Sequence, residues 1–186
     1  MREEHGASIE KIGSGLVSSV ETYKGCSLQF VRRTSGFNGL SVYKSGEVRK
    51  IEIKTMQKSD YWISINGIRA IDKLFFERDY WLYFVLVPEN IVVMTKALPF
   101  LRFQLSLDKK LNFLDELEGW IKSTKRLSKN SGLKFLPKIN IKLSTPIRKL
   151  VEEILSGEYN FDWKNSVIEI WKMEATWKQL FIVQEE

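Results

Sequence analysis

The chain has 186 residues, 44% hydrophobic and 12% aromatic, with 29 Lys and Arg against 23 Asp and Glu for a net charge of +6. That composition can bury a core and excludes a mainly disordered chain, while the basic balance points to a polyanionic partner. No apolar run approaches the ~20 residues of a membrane span, no signal core follows Met1-Arg2-Glu3-Glu4-His5, and the lone Cys26 forms no internal disulfide, so a cytoplasmic, non-membrane protein is expected.

Ile9, Ile12, Leu16, Val17 and Val20 fall at helical spacing and predict a helix over 3–20, with Gly25 as its stop. Gly13 and Gly15 either weaken that helix or mark a close approach of another backbone. Residues 27–32 read as a strand, 34–39 as a turn and 40–43 as a strand; Lys44-Ser45-Gly46-Glu47 closes a hairpin into a strand over 48–55. Residues 61–65 are extended and end in Asn66-Gly67, and 68–78 follow a helical pattern through Ile68, Ile71, Leu74 and Phe75. The continuous apolar run 80–87 predicts a strand in the middle of a sheet, and Pro88-Glu89-Asn90 turns the chain into an antiparallel partner at 91–95.

The order of helix, three strands, helix and two strands predicts a mixed α/β core over 1–97. Residues 98–186 read as an α+β extension packed on that core, or as part of one unit spanning 1–186. Its expected parts are a helix at 112–125, a turn at Asn130-Ser131-Gly132 and a strand at 138–143. A helix then runs from a Thr145-Pro146 cap to Ser156 with Gly157 as its stop, followed by strands at 167–173 and 179–183.

Within the strand 48–55, Glu52 and Lys54 share one face while Ile51 and Ile53 point to the core. A carboxylate and an ammonium held side by side on a rigid strand can hold a divalent metal and steady a nucleophilic water. Glu-x-Lys alone is weak, because with 28% charged residues a chance match is expected and a solvated ion pair explains it equally.

Order and spacing add more. Gly6-Ala7-Ser8-Ile9-Glu10, Gly36-Phe37-Asn38, Ile51-Glu52-Ile53-Lys54-Thr55, Ile63-Ser64-Ile65-Asn66 and Tyr80-Trp81-Leu82-Tyr83-Phe84-Val85 follow one another from Gly6 to Val87. In that order they resemble the PD-(D/E)XK nuclease superfamily, most closely its NO VEIN-type and Mrr-like restriction branches. The resemblance implies a restriction endonuclease-like mixed sheet flanked by helices and a metal-dependent DNA endonuclease of restriction or repair type. It further implies Mg²⁺ or Mn²⁺ as cofactor and a homodimer. Glu52 and Glu10 would bind the metal, and Lys54 would orient the attacking water and stabilise charge on the phosphorane-like transition state. Gln57 could assist, although an exposed polar turn explains it better.

Asn38 stands where the resemblance puts a metal-bridging aspartate. A hard cation prefers charged oxygen ligands, so the neutral amide removes one of them. Three explanations compete: a nuclease-like module that binds DNA or protein without cutting, a variant inactivated to trap a complex, or an enzyme using another acid, of which Asp60 is nearest.

Two windows lack any acid. The first, 22–46, holds Lys24, Arg32, Arg33 and Lys44; the second, 119–151, holds Lys122, Lys125, Arg126, Lys129, Lys134, Lys138, Lys142, Arg148 and Lys149. Arg32, Arg33, Lys44, Lys125, Arg126, Lys129, Lys134 and Lys138 are the candidates for phosphate contact, against the plainer reading of a solvated basic face. His5 has no second His or Cys at zinc-ligand spacing. The six tryptophans read as core anchors, with Trp163 and Trp171 as possible base-stacking exceptions.

Overall fold

The structure, a computed structural model, describes residues 2–32, 35–57, 60–107, 115–119, 121–123, 138–158 and 167–183. Helix α1 (Arg2–Tyr23) runs past its expected end and is closed by Gly25 at φ 77°. There Gly25 and Cys26 donate their N–H groups to the carbonyls of Thr22 and Glu21, each at 2.9 Å, which ends the helix in a left-handed turn that glycine adopts without strain.

Among the described residues, seven strands form one mixed sheet: β1 (Ser27–Phe30), β2 (Gly39–Val42), β3 (Val48–Met56), β5 (Tyr80–Leu86), β6 (Ile91–Lys96), β8 (Val167–Met173) and β9 (Trp177–Ile182), in the order β1-β2-β3-β5-β6-β8-β9. Strands β3 and β5 are parallel and the other neighbours antiparallel. The apolar run is therefore the central strand β5, buried at every residue, and helices flank the sheet in an α/β arrangement. β8 pairs with β6, so strands from the C-terminal half continue the sheet begun in the first half. Strand β4 (Trp62–Asn66) stands apart and pairs antiparallel with β7 (Lys138–Lys142) as a separate ribbon.

Helix α2 (Ile68–Phe76) follows β4. Helix α3 (Ala97–Leu107) is an element that the periodicity did not reveal. Ala97, Phe100, Leu101 and Leu105 are buried along one stripe, but Leu98, Pro99 and Phe103 place apolar residues on the other sides too, which hides the period in the sequence. Residues 115–119 and 121–123 are helical, inside the expected 112–125, while the expected turn at 130–132 lies outside the described residues. Helix α4 (Ile147–Ser156) stops at Gly157 as expected, at φ 76°.

The start of α4 corrects the sequence reading. Pro146 occupies the N-cap without a side-chain bond, and the Arg148 N–H instead donates to Asp60 Oδ2 at 2.7 Å. Thr145 is held by Gln104, whose Oε1 accepts the Thr145 N–H at 3.0 Å and whose Nε2 donates to the Thr145 carbonyl at 3.1 Å.

Alternation along β5 divides the core. Leu82, Phe84 and Leu86 face a layer built with α2, α3, α4 and the β4–β7 ribbon, whereas Trp81, Tyr83 and Val85 face Val17 and Val20 of α1. Inside the α1-side layer lies a charged cluster. Lys24 Nζ and Arg49 Nη1 sit 2.6 and 2.9 Å from Glu169, and Trp171 Nε1 donates to the same carboxylate at 2.7 Å. Arg49 lies over the Tyr43 and Trp81 rings, at 4.3 and 3.9 Å from their centroids. Glu21 accepts from Tyr83 Oη at 3.0 Å and from Ser41. Opposite charges and hydrogen bonds offset the desolvation of these groups, so the cluster ties α1, β2, β3, β5 and β8 together. Among the described residues, no helix is long and apolar enough to cross a membrane.

Candidate active site

The site begins with a mismatch of strand lengths. β2 pairs with β3 only over Val48 to Ile51, whereas β5 pairs with it over Lys50 to Met56. From Glu52 onward, one edge of β3 therefore lacks a strand partner on the β2 side among the described residues. The side chain of Asn38, just before β2, fills the first vacancy: its Oδ1 accepts the Ile53 N–H at 2.7 Å. The Asn38 N–H donates to the Ile51 carbonyl at 2.8 Å, and the amide thereby extends the ladder by one bond.

Two glycines bring other elements to this edge. A Cβ on Gly13 would lie 2.1 Å from Thr55 Oγ1, so only glycine lets α1 cross β3 this closely. Glu10, about one helical turn before Gly13, lines the same cleft as the β3 residues Glu52 to Met56. The neighbour at Gly13 is the Thr55 side chain rather than a backbone, and Gly15 has nothing within 4 Å, so only one of the two glycines marks a close approach. Gly36, at φ 80°, would place a Cβ 2.8 Å from the Arg69 carbonyl carbon, and its left-handed backbone packs the Gly36-Phe37-Asn38 turn against the start of α2. Its carbonyl accepts the Tyr80 hydroxyl at 3.2 Å. Burial, and then the charge of Glu52, push the Tyr80 phenol well up, so it stays a neutral donor.

The result is a cleft of about 670 Å³ whose walls include Glu10, Asn38, Glu52 and Lys54, all four residues expected to work together. Ser14 of α1, Thr55 of β3 and Trp62, Ser64 and Asn66 of β4 add further polar groups to its lining. Glu52 Oε1 lies 2.6 Å from Lys54 Nζ, with side chains 13% and 17% exposed. Partial burial strengthens that pairing over a fully solvated one.

The donors suit a hard cation in kind. Two carboxylates and one amide carbonyl are oxygen ligands, with no sulfur or imidazole among them, and Mg²⁺ commonly binds through one or two carboxylates while retaining waters. Asn38 Oδ1 keeps a second lone pair after accepting from Ile53. No group of three His, Cys, Asp or Glu that could hold a metal ion occurs among the described residues.

Other expectations separate from the cleft. Asp60, the spare acid, is buried and bound to the Arg148 N–H and guanidinium (Nη1 to Oδ2, 3.2 Å), so it holds α4 rather than replacing an aspartate at position 38. Gln57 is exposed beyond β3, and its carbonyl accepts from Arg148 Nη2 at 3.2 Å. Arg32 is exposed in the turn that leads to Asn38. Lys44 sits beside Gly25, about 20 Å along α1 from Glu10, so it does not share the cleft. Lys138 begins β7 opposite Asn66. Arg33, Lys125, Arg126, Lys129, Lys134 and Trp163 lie outside the described residues.

Trp171 is 8% exposed and bonded to Glu169, which makes it a core residue and corrects its reading as a stacking candidate. Trp62, taken for a core anchor, is instead 58% exposed on the cleft wall. The alternation Trp62-Ile63-Ser64-Ile65-Asn66 was the available signal, since it sets the indole opposite two core isoleucines. No protein family, curated protein or solved structure matches the chain.

Proposed function

We propose that the chain is a metal-dependent DNA endonuclease, akin to the PD-(D/E)XK superfamily it resembles. The observation that carries this reading is the convergence of Glu10, Asn38, Glu52 and Lys54 from separate elements on one cleft. Glu52 and Glu10, with the Asn38 carbonyl, would hold Mg²⁺ or Mn²⁺. Such an ion supplies Lewis acidity that activates water and offsets charge on the scissile phosphate. Lys54, fixed by Glu52, orients the attacking water and places a positive charge against the five-coordinate phosphorus as negative charge builds on its oxygens. Arg32 and the basic segments bind the DNA backbone, with affinity falling steeply as salt rises. Cytoplasmic location and a homodimer that cuts both strands belong to the same proposal.

A second reading follows from Asn38, whose oxygen already serves the Ile53 N–H and whose amide adds no charge. It is a nuclease-like module that binds DNA or a protein without cutting. Cleavage of supercoiled, linear and branched DNA with Mg²⁺ and with Mn²⁺ separates the two, using the parent, Glu52→Ala and Asn38→Asp. The enzyme reading expects cutting that Glu52→Ala abolishes. Failure of both the parent and Asn38→Asp to cut any substrate removes it, and salt-sensitive binding that persists in EDTA and in Glu52→Ala then supports the module.

A further inference from the structure

The described tryptophans divide sharply. Trp81, Trp171 and Trp177 are at most 8% exposed, whereas Trp62 presents 58% of its surface on the wall of the cleft that holds Glu52 and Lys54. On β4, Ile63 and Ile65 turn into the core and the opposite face carries Trp62, Ser64 and Asn66. Across the ribbon, Lys142 pairs directly with Trp62 and is exposed, so an ammonium-bearing side chain and an indole share one face. On the next rung Ser64 Oγ donates to Asn140 Oδ1 at 2.7 Å, which pins the two strands beside the ring. No acid occurs between Glu118 and Glu152, the window that includes all of β7, so the face suits a polyanion.

We propose that this face of the β4–β7 ribbon is a base-stacking subsite, with Trp62 as its platform and Lys142 as its phosphate contact. It selects nucleic acid with an unpaired nucleotide beside the cleft. A flat exposed ring can stack only on a base whose own face is free, which the interior of a duplex does not offer and a single strand, flap or frayed end does. The positive charge opposite the ring favours a nucleotide over an uncharged aromatic ligand. This inference rests on the reading of the cleft as a phosphodiester site and names its substrate class.

Binding is measured by fluorescence anisotropy in EDTA, so that cleavage plays no part. The probes are a labelled short thymidine oligonucleotide and a blunt duplex of the same length; the proteins are the parent, Trp62→Ala, Trp62→Phe and Lys142→Gln. The parent should bind the single strand more tightly. Trp62→Ala should weaken single-strand binding by about 5- to 150-fold, the range measured for loss of one base–aromatic stack, with little change on the duplex. Trp62→Phe should recover most of that loss, and Lys142→Gln should lower the salt dependence by about one phosphate contact. Equal loss on both probes, no loss on the single strand, or no binding to either overturns the subsite. Because Trp62 is largely solvent-facing, thermal melts should show Trp62→Ala folded like the parent. A protein that cuts duplex DNA yet shows no effect of Trp62→Ala loses only the subsite. One that stacks the oligonucleotide but cuts nothing keeps the subsite and loses the enzyme.

Discussion

The Asn38 side-chain oxygen accepts the backbone N–H of Ile53 at 2.7 Å, between the two residues whose side chains pair in the cleft. The residue that departs from the nuclease pattern thus has a structural task, since it ends the β2–β3 ladder without an orphan donor. An aspartate could do the same with one oxygen and turn the other to the cleft.

Asn38→Ala should therefore cost about 0.5–1.5 kcal/mol of stability, the net worth of one hydrogen bond, as measured by urea unfolding. Asn38→Asp should be close to the parent in stability and bind Mg²⁺ about tenfold more tightly in calorimetry, because an added carboxylate strengthens a hard-cation site. Equal affinity in the two proteins would show that position 38 does not face the ion.

Gly13→Ala should destabilise by about 1–3 kcal/mol, because the new methyl meets a stiff β-branched side chain at Thr55. Thr55→Ala removes the two nearest clashing atoms, so the double variant should recover a large part of the loss. A cycle with no coupling between the two positions would contradict the close crossing that brings Glu10 to the cleft.

Asp60→Ala should lower stability by about 2–3 kcal/mol, since it uncovers the Arg148 N–H at the start of α4 and removes one of the guanidinium's two carboxylate partners. At temperatures where the variant is folded, any DNA cleavage should match the parent. A selective loss of cleavage with unchanged melting would return Asp60 to the list of working acids.

Acid should weaken the fold through Glu169. Burial pushes its carboxyl up, but Lys24 and Arg49 and the Trp171 hydrogen bond hold it below its ordinary 4.5. A depressed carboxyl stabilises the fold fully above that ordinary value and loses the contribution as pH falls through the lower folded value. Glu169→Gln should cost about 1–3 kcal/mol at neutral pH, because Lys24 and Arg49 lose their shared carboxylate and keep Glu21 at 3.7 Å and Glu47 at 2.7 Å, and should flatten the stability curve below pH ~4.5. Parallel curves for the two proteins would show that another group titrates.

Much of the first half was legible in sequence because its signals are local. The Lys44-Ser45-Gly46-Glu47 turn, the Gly25 and Gly157 stops and the apolar β5 run depend on neighbours a few residues away. Other features required distant partners. The β4–β7 ribbon joins Trp62 to Lys142, Asp60 caps a helix that starts at Ile147, and Glu169 closes a cluster begun at Glu21 and Lys24. Charges of this kind look like solvated surface until the fold buries them.

By itself the amino-acid order determined an α/β chain with a Glu-x-Lys strand, a helix acid before it and a basic surplus, because periodicity, turn chemistry and charge act along the chain. Tertiary structure alone decided that Glu10 and Asn38 line one cleft with Glu52 and Lys54, that Asp60 is held by Arg148 instead, and that Trp62 faces solvent. Those outcomes depend on how far β3 outruns β2 and how closely Gly13 lets α1 cross it, and packing between distant segments sets both.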